Sequence, residues 1–110
     1  MSFWTIALTL AAAYNLVIGL ASMLQRGATR DARVTGLLVA CFGVVYALVA
    51  SDPVRFAPVL WAGVLGKAGV IALLAPAVRR GELPRMVGWV LAGDALFAAL
   101  FVALLVLAGA

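Results

Sequence analysis

An all-α bundle of four membrane-spanning helices is the fold this sequence predicts. Of its 110 residues, 67% are hydrophobic and only 11% are charged. An ordinary soluble domain is roughly 45–50% apolar and about 25% charged. The mean hydropathy is +1.22. The apolar residues fall in four long runs, and short loops between them hold most of the charge. A water-soluble fold of this size keeps much of its area exposed and has too little interior to hide so much apolar surface. Composition therefore speaks against a soluble enzyme, a disordered tail and a nucleic-acid-binding domain.

A transmembrane helix needs about 20 mostly apolar residues. The runs are Phe3 to Leu24, Val34 to Ala50, Pro58 to Val78 and Met86 to Leu107. Charges and helix breakers separate them, namely Gln25-Arg26-Gly27 through Arg33, then Ser51-Asp52-Pro53-Val54-Arg55, then Arg79 through Arg85. Hydrocarbon offers no partner to an open backbone, so each run is expected to be helical. A β-barrel would alternate apolar and polar residues, and these runs do not. No positive region precedes Phe3, so the first run reads as a retained span rather than a signal peptide. Pro76, near the end of the third run, is expected to help end that helix rather than kink it. The reading is a single membrane domain over residues 1–110.

Charge orients the spans. The formal net charge is +4. The first loop holds Arg26, Arg30 and Arg33, and the third holds Arg79, Arg80 and Arg85, whereas the second holds only Arg55. Lys and Arg accumulate in cytoplasmic loops. The first and third loops are therefore expected in the cytoplasm, with both termini and the second loop outside. The chain then forms two hairpins, each running out–in–out. Trp4, Phe56 and Trp61 fall near the outer boundary and Trp89 near the inner one, the levels that aromatic rings favour. The arginines set this topology and can also attract anionic lipid headgroups.

Few polar groups interrupt the spans. Lys67 and Asp94 are ionisable, and Asn15, Tyr14 and Tyr46 are neutral. A helix rises about 1.5 Å per residue, which puts Lys67 roughly 13–14 Å, Asp94 and Asn15 roughly 18 Å and Tyr46 roughly 12 Å below the outer boundary. All lie in one slab near the midplane. A charge there costs about 2.5–3.5 kcal/mol on insertion scales. The expected answer is a Lys67–Asp94 ion pair, with Asn15 beside it and the Tyr46 hydroxyl on the lysine side. Two roles stay open for such a pair. It can fix which helices meet and in what register, or it can line a pathway for a solute or protons.

Small residues let helices approach closely in lipid, where packing rather than the hydrophobic effect drives association. Gly19 shares a face with Ala11 and Asn15. Gly63, Gly66 and Gly69 surround Lys67, and Gly88, Ala92 and Gly93 precede Asp94. All are expected at close helix contacts. Phe97 and Phe101, one turn apart, are expected to pack on lipid or a neighbouring helix.

The inventory for chemistry is thin. There is no histidine, and Cys41 is the only cysteine, which leaves no metal site, no cofactor site and no intrachain disulfide to expect. Ser22 and Ser51 have no triad partners in sight, and no glycine-rich phosphate loop is present. The chain reads as non-enzymatic.

Taken in order, Tyr14-Asn15 with Gly19, Gly43 with Tyr46 and Asp52-Pro53, Gly63 with Gly66-Lys67, Arg80-Gly81-Glu82-Leu83-Pro84, and Gly88-Trp89 with Asp94 span most of the chain. This succession resembles a group of small bacterial four-span integral membrane proteins that carry Gly-Lys in span three and Asp in span four. That group has Asn before the aspartate, a place taken here by Gly93. The resemblance implies four spans in a bacterial inner membrane and brings no activity with it. Small multidrug resistance transporters match in length and span count, but they use a Glu in span one. No span here contains Glu, and Asn15 cannot carry a proton. The expected function is an accessory or structural membrane subunit, packed in the bilayer against copies of itself or a larger membrane protein. The alternative is an oligomeric transporter or channel that uses the same intramembrane polar residues for a small solute or protons.

Overall fold

The computed structural model of the chain describes residues 2–109. The described residues form α1 (Phe3–Leu24), α2 (Arg30–Ala50), a short α3 (Pro53–Phe56), a 3-10 turn (Ala57–Val59), α4 (Leu60–Arg79) and α5 (Arg85–Leu107), with no strand among them. The fold is all-α. Four helical stretches, Phe3–Leu24, Arg30–Ala50, Pro53–Arg79 and Arg85–Leu107, are long and apolar enough to cross a membrane. The chain divides into two compact units, Met1–Phe56 and Ala57–Ala110.

The first unit holds the hairpin of α1 and α2. Ser2 caps α1, its Oγ accepting from Thr5 N–H at 3.1 Å. After α1 the chain turns at Gly27, whose φ of +75° suits a residue without a Cβ. The second helix starts at Arg30, four residues before the expected Val34. Thr29 caps it, Oγ1 accepting from Ala32 N–H at 3.1 Å, and Asp31 sits in the first turn. Hydropathy marks where hydrocarbon should begin, whereas a cap and an acidic first turn mark where the hydrogen-bond ladder begins.

The two helices meet backbone to backbone. A Cβ added at Gly19 would lie 2.5 Å from the Ala40 nitrogen and 2.6 Å from the Gly36 oxygen. One added at Gly36 would lie 2.6 Å from the Gly19 oxygen, and one at Gly43 would lie 3.0 Å from the Ala12 oxygen. Ala11, Asn15 and Gly19 are all buried, so the face expected on α1 is a contact face. Its counterpart on α2, with Gly36, Ala40 and Gly43, is a second row of small residues. Beyond α2, the second loop is more ordered than a plain breaker. Ser51 Oγ donates to Leu48 O at 2.6 Å, and Pro53 opens α3, a position where its missing N–H costs nothing.

The second unit is the hairpin of α4 and α5. The third span was expected over residues 58–78. Its main helix covers Leu60–Arg79, preceded by α3 and the 3-10 turn. Pro76 lies inside α4 and the helix continues to Arg79, so it does not act as the terminator. Termination falls to Gly81, with φ +74°. Glu82 N–H donates to Ala77 O at 2.9 Å and Gly81 N–H to Val78 O at 3.0 Å, which completes a Schellman motif. On α5, Gly88 faces α4, where an added Cβ would lie 3.3 Å from Val78 Cγ1. Gly66 and Gly69 differ from expectation, since an added Cβ would meet nothing within 4 Å at either. They mark an open side of α4 rather than a close contact.

The contrast between these glycines is testable by thermal unfolding of the purified chain in detergent. Gly19→Ala and Gly36→Ala push a methyl into backbone and are expected to lower the midpoint clearly. Gly66→Ala and Gly69→Ala are expected to be neutral or to raise it, since alanine is favoured over glycine in a helix by about 1 kcal/mol. Equal effects at Gly19 and Gly66 would contradict the seam.

Candidate functional site

Lys67 stands twelve residues before the last residue of α4, and Asp94 nine residues after the first of α5. At about 1.5 Å per residue they lie roughly 18 Å and 14 Å from the connecting loop. The four-carbon lysine stem bridges this small offset. Lys67 Nζ donates to Asp94 Oδ1 at 2.8 Å, forming an ion pair between groups 27 residues apart. The lysine side chain is 6% exposed and the aspartate 15%. The ammonium also lies over the Phe97 ring, 5.8 Å from its centroid. Phe97 follows Asp94 by three residues, so both reach the same side of α5. Its ring centroid is 6.5 Å from that of Phe101, which is buried.

This arrangement neutralises two charges locally and places an aromatic face on the cation. Such a pair adds little net stability beyond an apolar substitute, but stranding one partner leaves a buried charge uncompensated. Gly63, one turn before Lys67, is buried, Gly66 and Ala92 are exposed, and Gly93 is half-buried.

The neutral polar residues belong to the first unit. Asn15 is buried and its Nδ2 donates to Val39 O at 3.1 Å, tying α1 to α2 beside the glycine seam. Tyr46 is buried, with its ring 6.2 Å from that of Phe42. Tyr14 is half-buried.

The loop arginines divide by role. Arg26, Arg30, Arg79 and Arg85 are exposed. Arg33, expected to set topology and attract lipid headgroups, reaches back to the end of α1, where Nη1 donates to Met23 O at 2.5 Å and Nη2 to Gln25 O at 3.4 Å. It satisfies carbonyls that a helix end leaves without partners. Arg80 pairs with Glu82 across the turn at Gly81. Both partners are exposed, and such pairs contribute little to stability.

Two roles go beyond those the sequence predicts. One is Phe97 as the wall over the lysine, which its spacing from Asp94 could have signalled. The other is Arg33, whose role depends on a tight five-residue turn. Among the described residues no group of His, Cys, Asp and Glu is placed to hold a metal ion.

The four long apolar helices give the make-up of a multi-pass membrane protein. No family model, curated protein or solved structure matches the chain.

Substitution of the pair has an expected pattern. Lys67→Met alone, or Asp94→Leu alone, should destabilise the folded chain by about 3–5 kcal/mol, and the double variant should recover most of that loss. Unfolding of the three variants in detergent measures it. Single and double losses that simply add would show that the two groups are not coupled.

Proposed function

We propose that the chain is a non-enzymatic accessory or structural subunit of a bacterial inner membrane. Its partners there would be copies of itself or a larger membrane protein. The observation that supports this reading is the ion pair itself. Lys67 and Asp94 neutralise each other within one hairpin, 2.8 Å apart. A matched pair of this kind fixes the register of two helices and leaves no net charge to drive chemistry. The large exposed apolar residues along the spans, such as Trp61, Leu65 and Leu73 on α4, supply surface for lipid and for neighbouring helices. Loops one and three, with six of the seven arginines, would face the cytoplasm, and both termini would lie outside.

One observation favours a second reading, an oligomeric transporter or channel for a small solute or protons. The Asp94 side chain keeps 15% of its area exposed, more than the 6% of Lys67. Intramembrane carboxylates commonly mark such pathways.

Reconstitution separates the two. Under the leading reading, liposomes containing the pure chain pass neither protons nor small solutes, and cross-linking in native membranes gives a complex of fixed stoichiometry. A flux lost in a folded Lys67→Ala variant would overturn it in favour of transport. Orientation has its own check. In a Cys41→Ala background, a membrane-impermeant thiol reagent should label Val54→Cys on intact cells, and Ala28→Cys only after permeabilisation. The reverse pattern would invert the topology.

A further inference from the structure

Asp94 and Phe97 meet the Lys67 ammonium as a receptor meets a cation. Asp94 places a carboxylate oxygen 2.8 Å from the nitrogen, and Phe97 turns a ring toward it with its centroid 5.8 Å away. A carboxylate supplies charge and a hydrogen-bond acceptor. An aromatic face within about 6 Å adds attraction to the cation, more so where water is excluded. Both elements come from one turn of α5, and the cation comes from α4 on a flexible four-carbon stem. Nothing in the chemistry of Asp94 or Phe97 requires the ammonium to be tethered.

We propose that Asp94 and Phe97 form a binding site for a small primary ammonium, held occupied by the chain's own Lys67. The ligand class is the ammonium ion or a short n-alkylammonium, which has the same N–H donors as the lysine and an apolar tail like its stem. A quaternary ammonium has no N–H to give to Asp94 and is a poorer fit. Because Lys67 is tethered, its effective concentration at the site is high, and a free amine displaces it only at high concentration, or at lower concentration once the lysine is shortened. The inference goes beyond the subunit reading and stands on the geometry of this hairpin, whether the chain is an accessory subunit or a transporter.

Chemical rescue tests it on the full chain in detergent. Lys67→Ala is unfolded thermally in increasing n-butylammonium chloride, with sodium chloride and tetramethylammonium chloride at matched ionic strength. The expected result is a midpoint that rises with n-butylammonium and saturates, with little response to the two control salts. Lys67→Ala with Asp94→Asn should not respond, and Lys67→Ala with Phe97→Leu should respond at higher amine concentration. A second measurement uses the unaltered protein, in case Lys67→Ala does not fold. The chain contains a single lysine, so labelling lysine with ¹³C at Cε gives one side-chain NMR signal. At high n-butylammonium that signal should move toward the position of a solvated lysine, and tetramethylammonium should not move it. Equal midpoint shifts from all three salts, or a lysine signal unmoved by the amine, would overturn the proposal.

Discussion

A lysine and an aspartate on neighbouring helices cancel each other's charge in the second hairpin, midway along α4 and α5. Each group alone would be a poor resident of an apolar helix. Water is the usual solvent for both, and hydrocarbon replaces none of its hydrogen bonds. With Nζ 2.8 Å from Oδ1, each charge finds its partner inside the protein. The energetic lesson is asymmetric. The pair contributes modestly when both members are present, while the loss of one strands the other. A register in which Lys67 and Asp94 do not meet is therefore penalised twice, once for each unpaired charge. On the subunit reading, that penalty is what would select one alignment among the many that two smooth apolar helices tolerate.

The first hairpin reaches specificity by another route. Gly19 and Gly36 bring α1 and α2 so close that an added methyl at either would overlap backbone atoms. Close approach multiplies dispersion contacts, each small but numerous. The Asn15 bond to Val39 O adds one directional contact to the seam. Interhelical bonds of this type contribute about 0.6–2 kcal/mol, and the close-packed glycine seam adds shape to that polarity. At the base of this hairpin, Arg33 ties the end of α1 to the first turns of α2. The two hairpins of one small chain thus illustrate two ways of choosing a helix partner without a hydrophobic driving force.

Much of this was legible in the letters. Lys67 and Asp94 stand out because charges are rare in apolar runs, and counting residues inward placed them at similar depth. The α1 face with Ala11, Asn15 and Gly19 was visible from its spacing. Its partner row on α2 was not read, because a row of small residues gains meaning only when matched to a row on another helix. The close contacts that the sequence predicts at Gly66 and Gly69 fail for a related reason. A glycine looks the same in sequence whether it faces a helix or an open side, and only the hairpin geometry decides. The start of α2 was missed because hydropathy reports the hydrocarbon boundary, while Thr29 and Asp31 begin the helix several residues earlier. The sequence predicts packing for Phe97, and its position over an ammonium depends on where the Lys67 stem ends.

The central claim is that the ammonium and the carboxylate are in direct contact. Solid-state NMR on the chain in lipid bilayers measures that contact directly. With ¹⁵N on the single lysine side chain and ¹³C on the aspartate carboxyls, the account predicts a strong nitrogen–carbon dipolar coupling to one carboxyl carbon, assigned to Asp94 by its disappearance in Asp94→Asn. A lysine nitrogen with no measurable coupling to any aspartate carboxyl would contradict it.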